Sequence, residues 1–328
     1  VGQTVPTERL ARRPPPDVQT FTPQTFPPMK HKRTLAGISL APILASALFA
    51  FAANAGAQSL GPASNYNYFI FGNVSLSNTD VEGRAAIGGN ATFSNYGVGD
   101  KLTSNSGYSL VVDGNLSYNN GQVFHGSVIH GGTYTGNVNV QNGTNVQGDL
   151  IDFSAAETEL RNLSSALSGI SATGTTSNSG DLSFNGSSSG LNVFSTQTSA
   201  IDAAYNFQVY APAGSTVLIN VAGQSVTWDN MSVGLNGVQN YNVIYNFFEA
   251  TTLNLSSIGI NGSILAPKAD VTFNNGQFNG ILVAKSLNGT GEFHDVGFQG
   301  TLPVPEPSSL ALAMGSIGGL LLIRRRAN

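Results

Sequence analysis

The feature that most restricts the fold is a small recurring unit: a polar residue, a glycine, one further residue, then an apolar one. It occurs as Asp113-Gly114-Asn115-Leu116, His125-Gly126-Ser127-Val128, Thr135-Gly136-Asn137-Val138, Gln147-Gly148-Asp149-Leu150 and Asn261-Gly262-Ser263-Ile264. The first four glycines are 12, 10 and 12 residues apart. Sharp corners need residues that tolerate positive φ, as glycine and asparagine do, and the apolar residue can open the next strand. Two architectures fit such short strands and corners. In a β-solenoid each coil stacks a strand on the coil below. In a β-sandwich the same turn signals separate antiparallel strands. The clustering of the units favours the solenoid, with the sandwich as the alternative. Alternation in Val138-Asn139-Val140, in Thr216 to Val221 and in Val271-Thr272-Phe273 supports an all-β body.

One helix is expected within this β pattern. Ala156, Leu160, Leu163, Leu167 and Ile170 follow three- and four-residue steps, which is one helical stripe. Ser154 and Glu157 have capping-box spacing, and Gly169 is placed to end the helix. The stripe reads as core packed along the flank of the sheet. A linker rich in Gly, Ser and Thr is expected from Ser171 to Gly190.

Charge and cysteine content remove several classes of function. The formal net charge is −4, but residues 58–302 hold five basic residues against fifteen acidic ones. An acidic body repels phosphate backbones, so no nucleic-acid partner is expected. With no cysteine in the chain, disulfides, thiolate metal sites and cysteine nucleophiles are excluded.

Both ends carry targeting patterns. Residues 1–28 are proline-rich, lack apolar periodicity and read as an upstream extension, non-native or disordered. From 29 to 57 the order is that of a signal peptide. Met29-Lys30-His31-Lys32-Arg33 is followed by an apolar run from Leu35 to Ala53, then by Ala55-Gly56-Ala57 before Gln58. Cleavage is expected between Ala57 and Gln58. In 303–328, Pro305-Glu306-Pro307 precedes an apolar stretch from Leu310 to Ile323, and Arg324, Arg325 and Arg326 follow. As a helix that stretch is about 21 Å long, short of a hydrocarbon core of about 30 Å. The arginines would hold its end on the cytoplasmic side.

This tail resembles the PEP-CTERM sorting signal. The resemblance implies an exosortase-type processing enzyme as partner and transient residence in the inner membrane. It also implies delivery to the surface, outer membrane or extracellular matrix of a Gram-negative bacterium. Three blocks of the body resemble the choice-of-anchor A family of bacterial surface proteins. The first runs from Asp80 to Asn90 and includes Gly83 and Arg84. The second is Ile151-Asp152-Phe153. The third begins at Tyr245-Asn246-Phe247-Phe248-Glu249 and ends at Gly291-Glu292-Phe293-His294. Where that family more often has Trp-Asn-Phe-Pro, this chain has Tyr245 and Phe248, both expected to be buried. The resemblance implies adhesion with no established reaction, and structural roles for Gly83, Arg84, Glu249, Glu292 and His294.

Solenoids also host polysaccharide-cleaving enzymes, which need paired carboxylates, or a base beside a positive clamp. The candidates are His125, His130, Glu249, Glu292, His294 and Asp295. His125 and His130 are five residues apart and would face opposite ways on a flat strand. Glu292 and His294 alternate and share a face, yet a metal would need at least one further ligand. No catalytic residue, cofactor or metal site is therefore expected. Thr133-Tyr134-Thr135 resembles the threonine rows of ice-binding solenoids, but one triplet is not a row. The reading is an exported, non-enzymatic adhesin or biofilm component that binds polysaccharide or surfaces. A carbohydrate-active β-helix enzyme and an ice-binding protein are the alternatives.

Overall fold

The computed structural model describes residues 59–103 and 107–303, which all lie in one compact unit. The signal segment, with Ala55, Ala57 and Gln58, lies outside the described residues. So does the tail, with Pro305, Glu306, Pro307 and Arg324 to Arg326. Among the described residues, no helix is long and apolar enough to cross a membrane.

The body is a β-solenoid. Nearly every strand pairing is parallel; the exception joins Thr175–Asn178 to Asp181–Asn185. Parallel stacking decides against the sandwich, whose sheets are antiparallel. The coils form three sheets. The first contains, in spatial order, Leu191–Gln197, Thr216–Ala222, Val243–Asn246, the starts of Ser263–Asn274 and Leu282–Gly289, Tyr68–Ile70, Ala85–Ile87, Tyr108–Val112, Ser127–His130 and Asn145–Gln147. Its central strands are buried on both faces, so they read as continuous apolar runs, such as Val217-Leu218-Ile219. We call it the covered sheet, because helix α1 (Phe153–Ser168) lies across its outer face.

The helix packs as its periodicity predicts. Phe153, Ala156, Leu160, Leu163 and Leu167 are buried against the outward row Phe69, Ala86, Val111, Ile129, Val193, Leu218, Ile244, Leu265 and Val283. Its cap differs from expectation. Asp152, not Ser154, is the N-cap, and its side chain accepts from Ala155 N at 2.9 Å. A start two residues earlier lets Phe153 point inward and pack on Phe69, with ring centroids 5.1 Å apart. Gly169 does end the helix, with right-handed φ of −80°. Two buried asparagines pin the C-terminal half. Asn246 donates to Ser164 O at 2.9 Å and to Asn220 Oδ1 at 2.8 Å, and accepts from Ser164 Oγ at 2.6 Å; Asn220 donates to Leu167 O at 2.8 Å.

The segment expected as a linker, 171–190, instead carries two strands, Thr175–Asn178 and Asp181–Asn185. Leu182 and Phe184 alternate into the core and hold it. A short second helix, α2 (Thr198–Asp202), was not foreseen. Corners are made as expected at Asn78, Asn95 and Asn120, whose φ values are 56°, 52° and 54°. Of the recurring glycines, Gly126, Gly136 and Gly262 have positive φ. Gly114 is needed for a different reason: a Cβ there would meet Gly89 O at 2.6 Å in the coil beside it.

The coils are not stacked in sequence order. The chain enters mid-stack at Tyr68–Ile70 and coils outward to Asn145–Gln147. Helix α1 then returns along the covered sheet, and coils from the far end work back to the middle. There Leu282, Val283 and Ala284 pair with Tyr68, Phe69 and Ile70, closing a seam between the first coil and the last.

Candidate functional site

The second sheet, which no element among the described residues covers, presents the first candidate. It contains Ser225–Asp229, Thr252–Ser256, the ends of Ser263–Asn274 and Leu282–Gly289, the starts of Val74–Val81, Ala91–Val98 and Leu116–Val123, and Tyr134–Gly136. Its inward row, including Trp228, Leu255, Phe273, Leu76, Phe93 and Tyr118, is buried and fixes the backbone from below. Its central outward row, read across the strands, is Thr227, Asn254, Thr272, Asn288, Ser75, Thr92, Ser117 and Thr135. All of these are exposed except Thr272 and Ser117, which are half-buried.

The geometry of this open sheet follows from strand spacing. Neighbours along the row stand about 4.8 Å apart, and outward residues on one strand repeat every 6.6 Å or so. Parallel columns flank the row: Ser225, Thr252, Asp270 and Ser286 on one side, Asp229, Ser256 and Asn274 on the other. Threonine suits such a row, because its branched Cβ restricts χ1 and so fixes the direction of its hydroxyl. The surface is a grid of hydroxyls and amides with few charges. Asp270 is one; Ser286 Oγ donates to it at 2.6 Å and Lys285 Nζ at 2.9 Å, and these bonds hold its carboxyl below the usual range.

The second candidate lies on the seam, in the third sheet, which contains Asp181–Asn185, Asn206–Tyr210, Val233–Asn236, Gly259–Asn261, Gln277–Asn279, Glu292–Phe293, the ends of Val74–Val81, Ala91–Val98 and Leu116–Val123, and Asn139–Val140. Glu82 follows Val81, which pairs with Phe293, so Glu82 is brought beside Glu292 and His294. One ligand atom from each of the three lies within 4.8 Å of the others. His294 Nε2 is 3.5 Å from Glu292 Oε1, and Glu82 Oε2 accepts from Asp295 N at 2.9 Å. Lys101 Nζ lies 3.9 Å from Glu82 Oε1. Asp80 stands on the same side; burial, then the charges of Glu292, Asp100 and Glu82, push its carboxyl above the usual range, with His294 opposing. The seam also explains Gly83, where a Cβ would collide with the side chains of Asn67 and Asp295. Asn67 Oδ1 accepts from Arg84 N at 3.0 Å, while Asn67 Nδ2 donates to His294 O at 2.6 Å.

The region 59–295 matches the model of the ice-binding-like adhesive domain. The chain belongs to that family. Among curated proteins, none matches the sequence. Solved structures with some likeness include an ice-binding protein from the Antarctic ascomycete Antarctomyces psychrotrophicus, 16% identical at a TM-score of 0.40, covering 75% of this chain and 100% of that one. An ice-binding protein from an Antarctic biological consortium is 17% identical at a TM-score of 0.36, covering 73% and 89%. The ice-binding protein LeIBP from an Arctic yeast is 11% identical at 0.35, covering 76% and 97%.

Within this ice-binding-like adhesive domain, the residues singled out in the sequence fall into separate places. Glu292 and His294 do share a face, and Glu82 joins them. Glu249 is not in that cluster; it is exposed, and its Oε2 accepts from Gly223 N at 2.9 Å. His130 is buried with Nδ1 2.9 Å from Gly132 O, and His125 lies in the turn before that strand. Tyr245 is buried as expected, and its hydroxyl donates to Asn261 O at 2.7 Å; Phe248 is only half-buried. The row itself escaped the sequence. Thr135 belongs to it, but its other members come from other coils.

Proposed function

We propose that this chain is an exported surface adhesin that binds ice through the open sheet. The observation that carries the reading is the single register column of Thr, Ser and Asn across eight strand segments. Spaced at about 4.8 Å, it is a rigid periodic array of hydrogen-bonding groups, and a periodic partner such as a crystal face of water can meet many of them at once. Membership of an ice-binding-like adhesive family supports this. The signal pattern in 29–57 and the PEP-CTERM-like tail support display at a bacterial surface. We read the chain as non-enzymatic. The seam carboxylates line neither of two surface depressions, with volumes of about 340 and 640 Å³. Purified protein is expected to partition into a slowly growing ice front and to restrict ice recrystallisation. Exclusion from ice, equal to that of an inert protein, would overturn the reading.

A second reading is polysaccharide binding, favoured by the larger depression. It lies at the edge of the open sheet and is lined by Asn73, Ser75, Asn90, Thr92, Asp270 and Lys285 among others. A carboxylate and several amides suit sugar hydroxyls. Retention on a glycan array, lost in Asp270→Ala, would support it.

A further inference from the structure

We infer that Glu82, Glu292 and His294 form a binding site for a zinc-class divalent cation that fastens the seam of the solenoid. The inference is independent of the proposed function. Three observations carry it. First, one imidazole nitrogen and two carboxylate oxygens lie within 4.8 Å of one another, a donor set of the kind that holds zinc with water as a fourth ligand. Second, the histidine is oriented from outside the cluster. His294 Nδ1 lies 2.6 Å from Asn279 Oδ1, and Asn279 Nδ2 donates to Asn261 Oδ1 at 3.1 Å, so Oδ1 is the acceptor and Nδ1–H the donor. Asn261 Nδ2 in turn donates to Val233 O at 3.0 Å. This hydrogen-bonded series of amides is the outer-shell support that metal-ligating histidines have.

The third observation concerns what remains at Nε2. With Nδ1 engaged by Asn279, Nε2 of His294 is left facing Glu292 Oε1 at 3.5 Å, with Glu82 beside it. Three potential ligand atoms therefore face one another within 4.8 Å. The exposed Lys101 ammonium lies closer to Asp100 Oδ2, at 3.1 Å, than to Glu82 Oε1, at 3.9 Å.

The place gives the cation a purpose. Glu82 belongs to the first coil of the chain and Glu292 and His294 to the last, far apart in sequence yet paired across the seam through Val81 and Phe293. A bound cation would join the two ends of the coiled chain. The imidazole selects for zinc-like metals over calcium, which prefers an all-oxygen shell.

The test is thermal unfolding of the full chain with zinc chloride, with calcium chloride and with EDTA, for wild type, Glu292→Gln and His294→Gln. Zinc at a hundred times its dissociation constant is expected to raise the wild-type midpoint by about 5–10 °C. EDTA should reverse that rise and calcium should not reproduce it. Without metal, Glu292→Gln is expected to melt no lower than wild type, because it removes a repulsion, while both variants lose at least tenfold in zinc affinity. If zinc moves nothing and Glu292→Gln melts lower without metal, the seam is held by an imidazolium–carboxylate pair and the inference is overturned. An equal zinc response in all three proteins would overturn it too, by placing the metal elsewhere.

Discussion

The covered sheet and the open sheet are built by the same coils, in the same parallel register, over the same aromatic and aliphatic interior. They differ in one respect: what their outward residues are. On the covered sheet these are Phe69, Val111, Val193, Leu218, Ile244 and Leu265, and helix α1 lies on them. On the open sheet they are Thr92, Ser75, Asn288 and Thr272, and no element among the described residues does. In a solenoid the inward residues already supply a core. The outward residues of each side are therefore free either to bind another part of the chain or to face a partner, and their chemistry records which.

That contrast predicts an ordering of mutational effects. Leu218→Ala, which empties space between sheet and helix, should cost about 2–5 kcal/mol, as should Leu163→Ala from the helix side. Denaturant melts check both. Asn246→Ala should cost about 1–3 kcal/mol, because it strands the buried partners Asn220 and Ser164. Its loss should show as hydrogen exchange in α1 before the coils. On the open sheet, Thr92→Ala and Thr272→Ala should each change stability by no more than about 0.5 kcal/mol while weakening ice binding. Comparable destabilisation from the two sheets would break the contrast.

The smallest expected effect is one of pH. Ser286 and Lys285 hold the Asp270 carboxyl below its ordinary value of 3.8. A lowered folded value means a contribution that is present above 3.8 and is lost as pH falls through the folded value. Asp270 is half exposed, so the contribution is small. The stability difference between wild type and Asp270→Asn should be constant above pH 5 or so and vanish in strong acid.

Legibility in the sequence divides along the same line. Helix α1 was readable because its stripe repeats within one continuous segment, and the corners because Gly and Asn have distinct backbone freedom. The cap was misplaced by two residues, since Ser154 and Asp152 are both competent and only packing of Phe153 on Phe69 decides between them. The strands in 171–190 were hidden because few apolar residues punctuate a polar stretch. The row on the open sheet was illegible for a stricter reason. Its members are neighbours across strands, separated in the chain by unequal lengths, so no window contains two of them in a recognisable pattern. Glu292 and His294 were seen as a pair; Glu82 was invisible as their neighbour because the seam joins opposite ends of the domain. The order of the coils, with the helix returning past the entry point, had no local signal.

The central claim is that the open sheet's row is the working surface. The most direct measurement is ice partitioning of the purified protein beside two variants that place tyrosine on different sheets. Thr92→Tyr with Thr272→Tyr raises two rings from the row, and Ser183→Tyr raises one from the third sheet, where Ser183 pairs with Gln208. The account predicts that wild type and Ser183→Tyr enter ice alike, and that the row variant is excluded while melting within a few degrees of wild type. Ice entry unchanged in the row variant, or lost equally in Ser183→Tyr, would contradict it.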